Sequence, residues 1–280
     1  MSNFIITADT TFDLAPDVVK RNHIVPIVSY VSLGEEMMDD YPDIKSGDLF
    51  SYVAKSGKLP QTAAANPGDY ETVFSRLRAE DDRPIIHIAK SSGISSCYEN
   101  AVIAAREVEG VYVVDSKSLS GGSGLVVLRA AQSPLEDPEE LVADLEAYRE
   151  KIEGGFVIET LEYLYKGGRC SGLAALGAGI LKLRPEIVIE DGKMHAGKKY
   201  RGTYDKCLSA FLEERLSQLE RFDPEVIYVN HTMQDEAQLK ALLETIESSH
   251  YFKKVVEYPA CAAIATHCGP NCFGIFLIRK

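Results

Sequence analysis

The 280-residue chain lacks any uncharged apolar run approaching the ~18–20 residues that cross a bilayer. No apolar run follows a basic N-terminus either, so a secretory signal is not expected. Positive charge is scarce: 30 Lys and Arg stand against 42 Asp and Glu, a net charge of −12. That balance argues against nucleic acid or an anionic membrane surface as the main partner, since both require a positive footprint. Paired cysteines are missing as well. Cys97, Cys170 and Cys207 are isolated, and Cys261, Cys268 and Cys272 cluster near His267 without a Cys-x-x-Cys spacing. The expectation is no metal site and reduced thiols, in a soluble cytoplasmic protein. Three catalytic or nucleotide signatures are also absent. There is no Gly-x-x-x-x-Gly-Lys-[Ser/Thr] loop, no Gly-x-Gly-x-x-Gly after a strand and no Gly-x-Ser-x-Gly elbow.

What is present is alternation. Runs rich in β-branched residues at 4–8, 24–33, 84–89 and 111–114 predict strands, and apolar stripes between them predict helices. Tyr70, Val73, Phe74 and Leu77 form one such stripe, and Tyr98, Ala101, Val102, Ala105 and Val108 form another. A third helix is expected over 124–131, after a flexible turn at Gly121-Gly122-Ser123-Gly124. Strand–helix–strand order selects the α/β class with a parallel sheet. A Pro- and acid-rich break at Ser133-Pro134-Leu135-Glu136-Asp137-Pro138 precedes a connecting helix. We therefore divide the chain into 1–150 and 151–280. The second part reads as strands at 155–159, 186–190, 226–230, 255–258 and 273–278. Its helices are a small-residue one over 173–183, a long one through Leu208 to Leu219 and one through Leu239 to Ile246.

In open α/β sheets, ligands sit beyond the carboxyl ends of the strands, where loops enter helices. Asp9-Thr10-Thr11, Ser91-Ser92-Gly93-Ile94-Ser95-Ser96 and Asp115-Ser116-Lys117-Ser118 occupy such places, and Gln61-Thr62-Ala63 precedes another helix. Singly, each is an ordinary cap. Together they suit a small anion. With only Lys117 basic among them, hydroxyls and backbone N–H groups favour a carboxylate over a phosphate. His267 lies in Thr266-His267-Cys268-Gly269-Pro270, which reads as a turn. His87 packs inside a strand, His195 and His250 look solvated, and His23 and His231 show no recognisable partner. Lys166-Gly167-Gly168-Arg169 and Lys198-Lys199-Tyr200-Arg201 are the notable basic features, read either as solvated faces or as a recognition edge for phosphate.

With those residues in view, the chain resembles the DegV family from end to end, including the FakB-type fatty-acid-binding subunits of bacterial fatty acid kinase. The likeness rests on Thr7-Ala8-Asp9-Thr10-Thr11-Phe12-Asp13-Leu14, Leu59-Pro60-Gln61-Thr62, Ser91-Ser92-Gly93-Ile94-Ser95 and Val114-Asp115-Ser116-Lys117. It continues through Thr160-Leu161-Glu162-Tyr163-Leu164, Gly167-Gly168-Arg169, Glu190-Asp191-Gly192-Lys193 and Thr266-His267 with Gly269-Pro270.

The resemblance implies a two-domain DegV-like fold with a parallel-sheet N-terminal domain, a C-terminal α/β domain and a lipid site at their junction. The first would carry the carboxylate-binding loops. The second would line an acyl tunnel. A long-chain fatty acid would be the ligand, with no other cofactor and no catalytic residue. Thr62, Ser95, Ser92, Gly93 and His267 would hold the carboxylate, with Ser95 preferred to Ser92. Arg169 and Arg201 would face a phosphate or the partner. The implied partners are an ATP-binding fatty acid kinase subunit and an acyl-phosphate acyltransferase supplying phospholipid synthesis, with room for transient membrane contact.

Two rival readings remain: a Ser–His hydrolase or acyltransferase using Ser92 or Ser95 with His267, and a structural or regulatory protein without a ligand.

Overall fold

The computed structural model describes residues 2–41, 44–169 and 184–280. The chain begins β1 (Ile5–Asp9), α1 (Pro16–Arg21), β2 (Val25–Ile27), β3 (Tyr30–Leu33), β4 (Glu36–Asp39), α2 (Ser46–Ser56) and β5 (Gln61–Ala63). It continues with α3 (Pro67–Glu80), β6 (Ile85–Ala89), α4 (Cys97–Ala105), β7 (Val111–Asp115), α5 (Ser120–Ala131) and α6 (Pro138–Arg149). Then come β8 (Ile152–Val157), α7 (Glu162–Lys166), β9 (Arg184–Glu190), β10 (Lys193–Tyr200) and α8 (Tyr204–Leu216). The last elements are β11 (Ile227–His231), α9 (Glu236–Glu247), β12 (Val255–Pro259), α10 (Ala262–Cys268) and β13 (Phe273–Ile278).

The α/β class expected from the alternation is what forms. Strands β2-β1-β6-β7 make a wholly parallel sheet in that order. The second sheet runs β10-β9-β8-β13-β11-β12 and is antiparallel except for the β11–β12 pair. A third, small sheet has the order β4-β3-β5. Helix α5 is wedged between the two larger sheets, packing on β1 and β6 and also on β8, β11 and β13. Phe12, Leu14, Val126, Val127, Tyr228 and Phe276 accordingly share one buried core. Each such side chain contributes roughly 1.5–3 kcal/mol by leaving water.

Five local expectations are corrected. The run 24–33 is two strands in different sheets, β2 and β3, interrupted at Val28-Ser29, where the Ser29 N–H donates to the buried Asp40 carboxylate (3.0 Å). The Gly121-Gly122-Ser123-Gly124 cluster is no flexible turn; it is the buried first turn of α5. Its glycines permit close packing: a Cβ on Gly124 would sit 2.6 Å from the Phe12 carbonyl, and one on Gly121 would collide with the Asn230 side chain. The basic run Lys198-Lys199-Tyr200-Arg201 is not a solvated loop but largely the end of the edge strand β10. His267 lies in helix α10 and not in a turn. His231 also has a partner after all, Glu257 at 2.6 Å. Cys170 and the small-residue helix expected over 173–183 lie outside the described residues.

Candidate functional site

Three elements converge beside the carboxyl edge of the parallel sheet. Strand β5 places Thr62 opposite Val31 of β3. Helix α10 packs on β3, β5 and α7, and so carries His267 up to Thr62. The loop after β6 contributes Lys90 and Ser95. Their side chains line one recess with Thr11, Ser29 and Arg169. The remaining wall is mainly apolar, including Leu119, Phe156, Leu164, Met194 and Ile264. The recess has a volume of about 60 Å³.

Thr62 Oγ1 and His267 Nε2 are 2.8 Å apart. The other ring nitrogen, Nδ1, is buried and has no hydrogen-bond partner among the described residues. Gly167 allows this fit, since a Cβ there would strike Nδ1. Burial, with the nearby charges of Arg169 and Lys90, pushes the imidazole down to about 3. His267 is therefore a neutral ring at physiological pH, able to donate from one nitrogen and accept at the other.

Lys90 is buried, and its Nζ donates to Ser29 Oγ at 2.8 Å. Burial works against its charge, but Cys97, Asp9 and Asp40 outweigh burial and the pKa rises. Below it, the Lys90 N–H donates to Asp9 Oδ2 (2.8 Å), and Tyr70 Oη donates to Asp9 Oδ1 (2.5 Å). Burial raises the Asp9 pKa, but His87, Lys90 and Tyr70 outweigh it and the net shift is downward. Asp40 accepts from Thr10 Oγ1 at 2.5 Å, and burial pushes both it and Asp13 up to about 6.

The serine loop divides by role. Ser91 Oγ donates to the Gly192 carbonyl (2.6 Å), tying the loop to the β9–β10 hairpin. Ser92 Oγ donates to Asp115 Oδ2 (2.6 Å) and is exposed. A Cβ on Gly93 would lie 2.5 Å from the Gly192 carbonyl, so this backbone is pressed against the hairpin. Ser95 alone of these serines reaches the recess, with its Oγ 3.3 Å from Cys97 Sγ.

The structure thus brings Thr62, Ser95, His267 and Arg169 together. Ser92 and Gly93 line an adjoining groove of about 600 Å³, which shares Ile94, Ser95, Arg169 and Met194 with the recess. Arg201 is exposed after β10 and lines neither. Lys117 turns to the surface, 2.8 Å from Glu150. The cation overlooked in the sequence is Lys90, a lone basic residue directly after an apolar parallel strand. Nor is a hydrolase relay assembled: the hydroxyl bonded to His267 belongs to Thr62, and no described carboxylate meets Nδ1. No cluster of three metal-ligating side chains occurs among the described residues, and no described helix is long and apolar enough to cross a membrane.

Fold and site define an α/β protein with a recess that is hydroxyl- and cation-lined at one end and apolar over the rest. The chain belongs to the DegV family: the family model, described as "Uncharacterised protein, DegV family", matches residues 3–280. It is 28% identical to a DegV domain-containing protein of Caldanaerobacter subterraneus subsp. tengcongensis, over 100% of both chains. A Thermus thermophilus DegV family structure, described by its fatty acid binding, is 27% identical with a TM-score of 0.90, covering 99% of each chain. A DegV lipid-binding protein of Thermotoga maritima is 25% identical with a TM-score of 0.85 over 100% of each.

Proposed function

We propose that this chain is a cytoplasmic fatty-acid carrier that presents a bound acyl group to a separate kinase. The supporting observation is the two-ended recess. Thr62, Ser95 and neutral His267 supply donors suited to a carboxylate, while Leu119, Phe156, Leu164, Met194 and Ile264 offer the start of an apolar path. Relatives of the same fold at 25–27% identity are described as fatty-acid- or lipid-binding. In this reading residues 1–150 supply most of the head-group contacts, and residues 151–280 line the tail.

Burial of a sixteen-carbon tail at ~0.8 kcal/mol per CH₂ provides roughly 10 kcal/mol against the ordering of the chain. The adjoining groove opens beside Ser95 and Arg169, where an ATP-bearing subunit could reach the carboxylate. Arg169 would steady the added phosphate, and Arg201 is assigned to partner contact. An acyltransferase would then take the acyl group from the retained acyl-phosphate.

Organic extraction of the purified protein, followed by mass spectrometry, tests the carrier role. About one fatty acid per chain is expected, whether co-purified or taken up from added hexadecanoate. Protein that neither carries nor accepts one rules the reading out. With ATP and a fatty acid kinase subunit, Arg169→Ala should keep its lipid but slow phosphorylation. Covalent labelling of Ser92 or Ser95 by a fluorophosphonate would favour the hydrolase instead.

A further inference from the structure

An ammonium group has three donors. The described residues satisfy one of those on Lys90, through Ser29 Oγ, and no described carboxylate lies within 4.0 Å of its Nζ. The side chain is nevertheless buried and lines the recess that also holds Thr62, Ser95 and His267. The carboxylates whose charges support it, Asp9 and Asp40, are engaged elsewhere: Asp9 with Tyr70 and the Lys90 backbone, Asp40 with Thr10 and the Ser29 N–H. Burying a cation with spare donors is costly unless an anion completes it. Across the recess, His267 is neutral and cannot supply the countercharge, and Arg169 adds a second positive group.

We propose that Lys90 is the charge-selecting residue of the site: its ammonium forms the counter-ion of the ligand's head group, so the recess discriminates ionised carboxylates from uncharged lipids of the same length. This rests on the lipid-carrier reading and adds its selectivity. Thr62 and Ser95 serve any oxygen-bearing head group, because hydroxyls both donate and accept. An ammonium with no acceptor is left unsatisfied by an alcohol or ester, which returns at best one neutral hydrogen bond.

The test compares hexadecanoate with hexadecan-1-ol on the intact protein, by competition against radiolabelled hexadecanoate, in wild type and Lys90→Met. Wild type should prefer the acid by about 10–100-fold, the span of a hydrogen bond to a charged group. In Lys90→Met that preference should collapse to within about threefold. A variant that keeps the acid preference, or a wild type that lacks it while binding both lipids, overturns the role of Lys90 and leaves the carrier intact. A wild type that binds neither lipid removes both conclusions. Should Lys90→Met fail to fold, ¹⁵Nζ spectra of wild type decide the matter. The Lys90 resonance should shift with hexadecanoate and stay put with hexadecanol, and an unmoved resonance on acid binding refutes the proposal.

Discussion

The two sides of the recess are built on different principles. On the parallel-sheet side, polar groups arrive directly from strand ends: Thr11 follows β1, Ser29 follows β2, and Lys90 and Ser95 follow β6. Parallel strands all end on one edge, so whatever their loops carry is gathered there. On the other side the sheet is largely antiparallel and its strands end at both edges. That side supplies walls, Phe156 from β8 and Met194 from β10, while its one polar ring, His267, comes from a short helix. Topology collects most of the polar groups in one half, and the other half adds His267 and Arg169.

The comparison can be broken from the packing side first. Phe276→Ala removes a side chain shared by both sheets and should cost about 3–5 kcal/mol in urea unfolding. One transition is expected, and two separate ones would show that the sheets fold independently. Thr62→Ala and Ser95→Ala come next, each weakening hexadecanoate retention by roughly 1–3 kcal/mol, measured by competition. Equal losses would mean that strand β5 and the strand-end loop both grip the head group. A loss at Ser95 alone would assign the task to the strand-end loop.

A pH series isolates His267. Its folded pKa of about 3 lies below the ordinary 6.5, so between those values the unfolded chain binds the extra proton and stability falls as pH drops. Relative to His267→Gln, wild type should lose about 2 kcal/mol from pH 7 to pH 5. Asp13 and Asp40, raised to about 6, act oppositely by favouring the fold at low pH. They are common to both proteins, so the difference reports on the histidine. The smallest effect belongs to Ser92→Ala, within about 0.5 kcal/mol of wild type in stability and hexadecanoate binding, since this hydroxyl faces solvent and Asp115.

How much of this was legible follows the same division. The parallel strands are dense in β-branched residues and their loops in hydroxyls, so the class and the polar edge could be read directly. Strand β10 was hidden because Lys193, His195, Lys198 and Lys199 occupy an edge, where charge discourages pairing with other chains but erases the strand pattern. Helix α10 spans only Ala262–Cys268, too short for a stripe, and ends before Gly269-Pro270, which reads as a turn. Lys90 stands in no local pattern, because the hydroxyl-rich run begins only at Ser91. Its meaning depends on burial, which no local pattern reveals.

The tight seating of α5 has a mechanical consequence. Its backbone meets Phe12 on one flank and the Asn230 and Phe276 side chains on another, leaving no slack between the larger sheets. Hinging those sheets apart would tear open the shared core, so the protein behaves as a clamped frame. The small helices α7 and α10, which pack on each other beside the recess, lie outside that clamp.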